Sequence, residues 1–106
     1  MTEISFKNDI RAFTLDVKGH AGYDEPGRDI VCAGISTLTS ELLLAGIKAN
    51  RKGTIRKFEY RAEEGDIHIS WKYTNLSFLY DTVEIVMECL QHIAEQYPEN
   101  VKLVQK

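Results

Sequence analysis

The spacing of hydrophobic residues switches along this chain between two periods, which restricts it to a fold that mixes strands with helices. Hydrophobic residues alternate with polar ones from Ile4 to Phe6 and again from Phe13 to Val17. A period of two is typical of strands with one buried face. The two runs are separated by a short polar segment near Asn8 and Asp9, so they predict an opening hairpin.

From Ile30 the period changes to that of a helix. The apolar positions now recur at intervals of three and four residues, at Val31, Ile35, Leu38, Leu42 and Ala45. This spacing predicts an amphipathic helix that runs to about Asn50. Asp29 is a suitable N-cap for it, because a carboxylate accepts hydrogen bonds from the free amides of the first turn, and Gly53 follows its other end.

The second half of the chain repeats this order. A second hairpin is predicted from Ile55 to Tyr73 with a turn at residues 63–66, and its aromatic residues, Phe58, Tyr60, Trp71 and Tyr73, are expected in the core. A long amphipathic helix follows and is closed by Pro98, and a short strand from Val101 to Val104 can add an edge. The order ββαββα, with this possible final β, contains no parallel crossover repeat. It predicts an α+β sandwich: one domain over residues 1–106, with one mixed or mostly antiparallel sheet packed with two helices.

The bulk composition is that of a soluble globular domain, with 43% hydrophobic and 27% charged residues among 106. The N-terminus lacks the basic start and long apolar stretch of a signal peptide. We also expect no apolar run long enough to span a bilayer, and hence no membrane partner. A cytoplasmic location is expected, and in that reducing compartment Cys32 and Cys89 are expected as free thiols.

The net charge of −3 argues against broad, nonspecific nucleic-acid binding as the main function, and direct nucleic-acid binding is not expected. Within one stretch of ten residues, however, five cationic residues occur without any acidic one: Lys48, Arg51, Lys52, Arg56 and Lys57. We call these five residues the basic corner. Its sequence is compatible with a contact to RNA, a contact to an acidic partner, or plain solvation.

The segment from His20 to Cys32 is the strongest candidate for chemistry. It joins a strand-like run to the first turn of the predicted helix through a loop that contains Gly22, Pro26 and Gly27. If Asp29 is the N-cap, Cys32 is the third helical residue, where free amides stabilise a thiolate and can also bind an oxyanion. An imidazole on a hinged connector can accept the thiol proton, so the pattern indicates a Cys/His dyad beneath a mobile substrate loop.

The residues around this dyad carry a family resemblance. Gly19-His20-Ala21, followed by residues 27–36 with the sequence Gly-Arg-Asp-Ile-Val-Cys-Ala-Gly-Ile-Ser, closely resembles the signature of the ribosomal-processing cysteine protease family, Prp. The resemblance extends over the whole chain, including its length, its element order and the final segment from Tyr97 to Leu103.

The resemblance implies an endopeptidase that removes the N-terminal extension of a large-subunit ribosomal protein. It implies that Cys32 is the nucleophile, that His20 is the general base and acid, and that the acyl-enzyme is a thioester. Asp29 and Ser36 match accompanying positions of the family, and for both a supporting role in the site and a purely structural role stay open. The resemblance further implies a homodimer, a ribosomal protein precursor as substrate, and no metal or organic cofactor.

Other readings compete with this one. A noncatalytic ribosome-associated binding protein would use the basic corner and keep Cys32 only for helix packing, and a redox-sensing thiol would lack a neighbouring resolving cysteine. Cys89 and His92 stand three residues apart on the second predicted helix, but no second pair completes a metal site. His68 is expected on the polar face of its strand and exposed, with a polar role near the site left open.

Overall fold

The five strands and two helices follow one another in the predicted order in a computed structural model of the chain, which describes residues 1–75 and 77–106. The strands are β1 (Thr2–Asn8), β2 (Ala12–Lys18), β3 (Ile55–Glu63), β4 (Asp66–Tyr73) and β5 (Val101–Gln105). The helices are α1 (Ile30–Lys52) and α2 (Phe78–Gln96). Helix α1 extends two residues beyond the predicted end and closes at Gly53, whose φ of 76° places it in the left-handed region that favours glycine.

The strands form one mixed sheet in the order β3-β4-β2-β1-β5. The hairpins β1–β2 and β3–β4 are antiparallel, and β2 pairs antiparallel with β4, so the two hairpins meet in the middle of the sheet. Strand β5 pairs parallel with β1 and forms one edge, while β3 forms the other. The predicted α+β fold class and the final edge strand are therefore confirmed.

The core lies between the helices and one face of the sheet. Phe13, Leu15, Ile69 and Trp71 point from the central strands into this layer and are almost fully buried. The backbone of α1 approaches the sheet closely at Gly46, because a Cβ atom there would lie 2.7 Å from Phe58 Cε1. The opposite face of the sheet carries the alternate, polar positions of each strand and is not covered by a helix.

The expectation that the aromatic residues of the second hairpin are all core residues is wrong for Tyr60. Trp71 and Tyr73 are buried and Phe58 is half-buried against the core, but Tyr60 is 54% exposed. Tyr60 is paired with Ile69 on the core side of the sheet, yet β3 is an edge strand with no outer neighbour. An edge position leaves one side of the ring open to solvent, which the period of the sequence does not reveal.

Helix α1 is long and apolar enough, by length and composition, to cross a membrane, so the expectation that no run is long enough was wrong for this segment. Core helices of soluble proteins meet the same two criteria. In this fold α1 buries one face against its neighbours, through Val31, Ile35, Thr39, Leu42, Gly46 and Ala49.

Candidate active site

Cys32 lies in the first turn of α1, as predicted from the helix cap. Asp29 immediately precedes the helix with extended backbone angles, and its Oδ1 accepts a hydrogen bond from the Cys32 amide at 2.9 Å. The Asp29 carbonyl accepts from the Ala33 amide at 3.0 Å, which closes the first helical turn. The cap thus places the Cys32 side chain at the positive end of the helix dipole.

The second carboxylate oxygen of Asp29 holds the loop. Its Oδ2 accepts hydrogen bonds from the amides of Tyr23 at 3.0 Å and Asp24 at 3.4 Å. Burial raises the pKa of the Asp29 carboxyl, but the amides of Cys32, Tyr23 and Asp24, together with the Cys32 side chain, outweigh it and leave the pKa below its ordinary value. Asp29 is therefore an ionised group that ties the loop to the helix.

The sulfur of Cys32 accepts a hydrogen bond from the backbone amide of Ala21 at 3.3 Å. Ala21 is 2% exposed, and its carbonyl accepts from Asn100 Nδ2 at 3.0 Å. The residue after His20 is thus fixed between the first turn of α1 and the segment that follows α2. Cys32 itself is half-buried and has no disulfide partner.

A tyrosine pair fixes the middle of the loop. The ring of Tyr23 packs edge-on against Tyr97, with ring centroids 5.3 Å apart. Tyr97 is the C-cap of α2, so the loop is held from both helices. Gly22 and Gly27 have φ angles of 69° and 87°, and a Cβ atom at either would meet no neighbour within 4 Å. Backbone conformation, not space, is the reason for glycine at both positions.

His20 lies two residues beyond the end of β2 and is exposed. Its ring rests against Gly65 in the β3–β4 turn, because a Cβ atom on Gly65 would lie 3.0 Å from His20 Nε2. Its carbonyl accepts a hydrogen bond from the amino group of Met1 at 2.7 Å. Among the described residues no hydrogen bond joins the His20 ring to Cys32, whose sulfur is bonded to the Ala21 amide instead.

The remaining predicted position, Ser36, is exposed one turn beyond Cys32. Its carbonyl accepts from Thr39 Oγ1 at 3.1 Å, and its hydroxyl has no hydrogen bond among the described residues. Sequence reasoning missed Ala21, Tyr97 and Asn100 as contacts of the loop and of Cys32. The identity of Asn100 gave no signal, because its contact with Ala21 joins positions 79 residues apart.

Two other candidates lie away from this site. Cys89 is exposed on α2. His68 Nδ1 is 2.7 Å from Asp16 Oδ1 and His68 Nε2 is 3.3 Å from Ser70 Oγ, on the open face of the sheet. His68 lies on the polar face of its strand, as expected, but the expectation that it is exposed was wrong, because these neighbours half-bury the ring.

The arrangement at Cys32 suits acyl transfer. The Cys32 sulfur, in the first turn of α1, accepts one backbone N–H bond, from Ala21, and a helix N-terminus favours negative charge. His20 lies on the adjoining connector, and imidazole side chains are common general acids and bases in acyl transfer.

Comparison with known proteins gives this chemistry a family. Residues 1–102 match the family described as cysteine protease Prp. The ribosomal processing cysteine protease Prp of Staphylococcus aureus is 29% identical over 103 residues, which cover 95% of this chain and 93% of that protein.

Solved structures agree at the level of the fold. The crystal structure of an essential ribosomal processing protease Prp from S. aureus, in complex with a covalently linked product peptide, matches with a TM-score of 0.75 at 27% identity over the full length of both chains. A crystallised protein from Streptococcus mutans matches with a TM-score of 0.64 at 23% identity, over 99% of this chain and 93% of that one, and this likeness concerns the fold alone. With a cysteine in the first turn of a helix and a family match over almost its entire length, the chain belongs to the cysteine protease Prp family of ribosomal processing peptidases.

Proposed function

We propose that this protein is an endopeptidase that removes the N-terminal extension of a large-subunit ribosomal protein, with Cys32 as the nucleophile and His20 as the general base and acid. The observation that carries the proposal is the position of the Cys32 sulfur, which lies in the first turn of α1 and accepts the Ala21 amide. Amide donors around a thiol stabilise the thiolate, which is the nucleophilic form.

The proposed reaction is acyl transfer in two halves. The Cys32 thiolate attacks the scissile carbonyl carbon, and amides of the first turn stabilise the oxyanion of the tetrahedral intermediate. The C–N bond then breaks, His20 donates a proton to the departing amine, and a thioester remains on Cys32. In the second half His20 takes a proton from water, the hydroxide attacks the thioester carbonyl, and the C–S bond breaks to release the acid and the thiolate.

This role requires His20 to leave Gly65 and approach Cys32. Gly19 and Gly22 flank the pair His20-Ala21, and both have positive φ angles that glycine adopts without strain. Small changes at these two glycines redirect the imidazole without breaking β2, which ends at Lys18. We propose that substrate binding displaces the loop over residues 22–28, while Ala21 keeps its amide on the sulfur, and brings His20 to the sulfur, with Asp29 and Ser36 as supporting residues.

The relative from S. aureus supports this chemistry because it was crystallised with a covalently linked product peptide. A covalent peptide adduct is the kind of species that a nucleophilic enzyme forms. By transfer to this chain, Cys32 is the residue that would carry such an adduct. The mechanism proposed for this chain uses protein groups and water alone, so the proposal includes no cofactor.

We also propose that the protein acts in the cytoplasm as a homodimer. Large apolar side chains are exposed on the outer faces of both helices: Ile30 and Leu44 on α1, and Phe78 and Ile85 on α2. Pairing of two copies would remove such surface from water. Sedimentation of the purified protein over a range of concentrations measures the proposed dimer directly.

The decisive experiment incubates the protein with a peptide that spans the extension junction of the ribosomal protein and follows cleavage by mass spectrometry. We expect Cys32→Ala and His20→Ala to lose cleavage by at least about 10³-fold. Cys89→Ser and His92→Ala are the matched controls, because each removes the same residue type from an exposed position on α2, and both should cleave like the native protein. Intact peptide with the native protein, or equal cleavage by Cys32→Ala, would overturn the proposal.

A further inference from the structure

The basic corner occupies one end of the molecule, where α1 ends and β3 begins. Lys48, Arg51 and Lys52 lie in the last two turns of α1, and Arg56 and Lys57 lie at the start of β3. Strand β4 adds a sixth cation, because Lys72 is the register partner of Arg56. All six side chains are exposed: Lys48, Arg51, Lys52, Arg56, Lys57 and Lys72.

None of these six cations forms an ion pair or a side-chain hydrogen bond within the described part of the chain. Of the seven other lysines and arginines, two pair with carboxylates: Lys7 lies 3.9 Å from Asp9, and Arg61 forms two bonds with Asp66 at 3.0 and 3.1 Å. In the β3–β4 hairpin the cations Arg56, Lys57 and Lys72 lie near the open end and the acids Glu63, Glu64 and Asp66 lie at the turn, with Glu59 and Arg61 between them.

Two features of β3 are unfavourable for the isolated fold. Arg56 stands directly opposite Lys72, and like charges at opposed positions of antiparallel strands repel each other. Lys57 has a φ of 53° at the register shift between Arg56 and Glu59, a left-handed conformation that is unfavourable for residues other than glycine. An anionic partner that contacts this end of the sheet would reduce the repulsion between Arg56 and Lys72. The positive φ of Lys57 is also consistent with a binding site here, because strained backbone often occurs at such sites.

The helix dipole accounts for only part of the corner. Arg51 and Lys52 lie in the last turn of α1, where cations are favoured by the negative helix terminus. Lys48 lies farther from the terminus, and Arg56, Lys57 and Lys72 belong to strands. These four cations have no such intramolecular reason for their position.

We propose that the basic corner, together with Lys72, binds the phosphate backbone of RNA. Within the stretch itself the surface is formed by lysine and arginine side chains, because its aliphatic residues Ala49 and Ile55 are buried in the core, while the exposed Leu44 and Tyr60 lie outside the stretch. Protein partners are usually held by apolar or aromatic anchors in pockets, whereas phosphate backbones are held by lysine and arginine alone. The net charge of −3 does not oppose such binding, since a local cluster of cations sets the potential at its own surface.

The corner and the sulfur lie at opposite ends of one helix. Cys32 and Arg51 are 19 positions apart in α1, which corresponds to about 28 Å at 1.5 Å per residue. RNA at the corner would therefore leave the active site open to a peptide. On the proposed function, which this inference extends, the corner would hold the enzyme against the RNA of the particle that carries its protein substrate.

The test measures binding of a fluorescent RNA duplex of about 20 base pairs by anisotropy, between roughly 50 and 200 mM salt. The variant combines Lys48→Gln, Arg56→Gln and Lys57→Gly, which spares the two cations of the last helical turn and places glycine where φ is positive. We expect the variant to bind about 10-fold to 100-fold more weakly and to lose about three units of the slope of log K against log salt.

The matched control combines Lys7→Gln, Lys102→Gln and Lys106→Gln, which remove the same charge from exposed positions on and beside β1 and β5 at the other side of the sheet. It should bind RNA like the native protein. An absence of binding at low salt, an equal loss in the control, or equally good binding of polyglutamate would overturn the proposal, the last in favour of an acidic protein. Junction-peptide cleavage without RNA should be unchanged in both triple variants, so failure of RNA binding and failure of the protease proposal are separate results.

Discussion

Asp29 joins two functions in one side chain. One carboxylate oxygen caps α1 at the Cys32 amide, and the other holds the loop through the amides of Tyr23 and Asp24. Helix position and loop position therefore depend on the same negative charge. This coupling explains why an acid at this position suits the site better than the other common cap residues, whose single short side-chain dipole satisfies fewer donors.

Replacing Asp29 by Asn is expected to lower the free energy of unfolding by about 1 kcal/mol at neutral pH, because the cap loses its charge. The loop amides of Tyr23 and Asp24 should exchange their hydrogens faster, which NMR measures residue by residue. Faster exchange in α2 to the same degree would instead indicate global destabilisation.

The same variant gives a pH prediction with a definite sign. The pKa of Asp29 lies below its ordinary value of 3.8, so its contribution to stability is complete above that pH and is lost as the pH falls through the lowered folded-state pKa. The difference in unfolding free energy between the native protein and Asp29→Asn should therefore narrow on acidification below 3.8. Urea unfolding at several pH values measures it, and a difference that widens in acid would contradict this assignment.

The two cysteines provide an internal comparison at the residue scale. Cys32 is half-buried with an amide donor on its sulfur, and Cys89 is exposed on α2. We expect iodoacetamide near neutral pH to alkylate Cys32 about tenfold faster than Cys89, despite its lower exposure, because the amides stabilise the thiolate. Peptide mass spectrometry measures both rates in one sample. In concentrated urea the rates should converge, and faster alkylation of Cys89 in the folded protein would contradict an activated Cys32.

At the scale of elements, α1 connects the site to the core. Its N-terminus carries Cys32, and its middle approaches the sheet so closely at Gly46 that Phe58 and Trp71 occupy the space of a side chain. Gly34, in the same helix, would place a Cβ atom 3.4 Å from Ile93 Cδ1, which is an ordinary contact. Close packing against the sheet therefore favours glycine at position 46, whereas position 34 has room for a Cβ atom.

Alanine at each glycine separates packing from helix propensity. Gly34→Ala should stabilise the protein by up to about 1 kcal/mol, because alanine is the better helix former. Gly46→Ala gains the same propensity but forces the Phe58 and Trp71 rings to shift, so it should be about 1 to 3 kcal/mol less stable than Gly34→Ala. Urea unfolding measures both, and equal stabilities would mean that the rings move aside freely.

At the scale of the whole molecule, the site is assembled from three distant parts of the chain. Ala21 lies between the sulfur of Cys32 and the side chain of Asn100, and Tyr97 holds Tyr23. The segment after α2 reaches this place because β5 returns to pair parallel with β1, next to the hairpin that leads into the loop. The position of the final strand thus fixes the resting position of the loop.

Asn100→Ala removes one of these ties and leaves the buried carbonyl of Ala21 without its donor. We expect trypsin to cut after Arg28 several-fold faster in this variant, because the loop opens more often and cleavage follows the open population. Gel electrophoresis with mass spectrometry identifies the cut. Gln91→Ala, which removes a surface hydrogen bond to Glu95 on α2, is the control, and an equal acceleration there would count against a specific tie.

Much of this architecture could be predicted from local sequence. The period of two gave both hairpins, the period near three and a half gave both helices, and Asp29 gave the start of α1, because each of these depends on neighbours within a few residues. The signature around His20 and Cys32 gave the family, which the match over residues 1–102 confirms. The roles of His20, Asp29 and Ser36 in catalysis stay predictions.

What the sequence could not supply depends on contacts between distant segments. The order of the strands decides that β3 is an edge and that Tyr60 is exposed, and the return of β5 decides that Asn100 meets Ala21. The contact of the His20 ring with Gly65 also follows from the pairing of β2 with β4. The sequence by itself determined the elements and placed a cysteine in the first turn of a helix, because helix caps and hydrophobic periods are local. Only the tertiary structure decided what surrounds that cysteine, because packing between segments far apart in the chain has no local pattern.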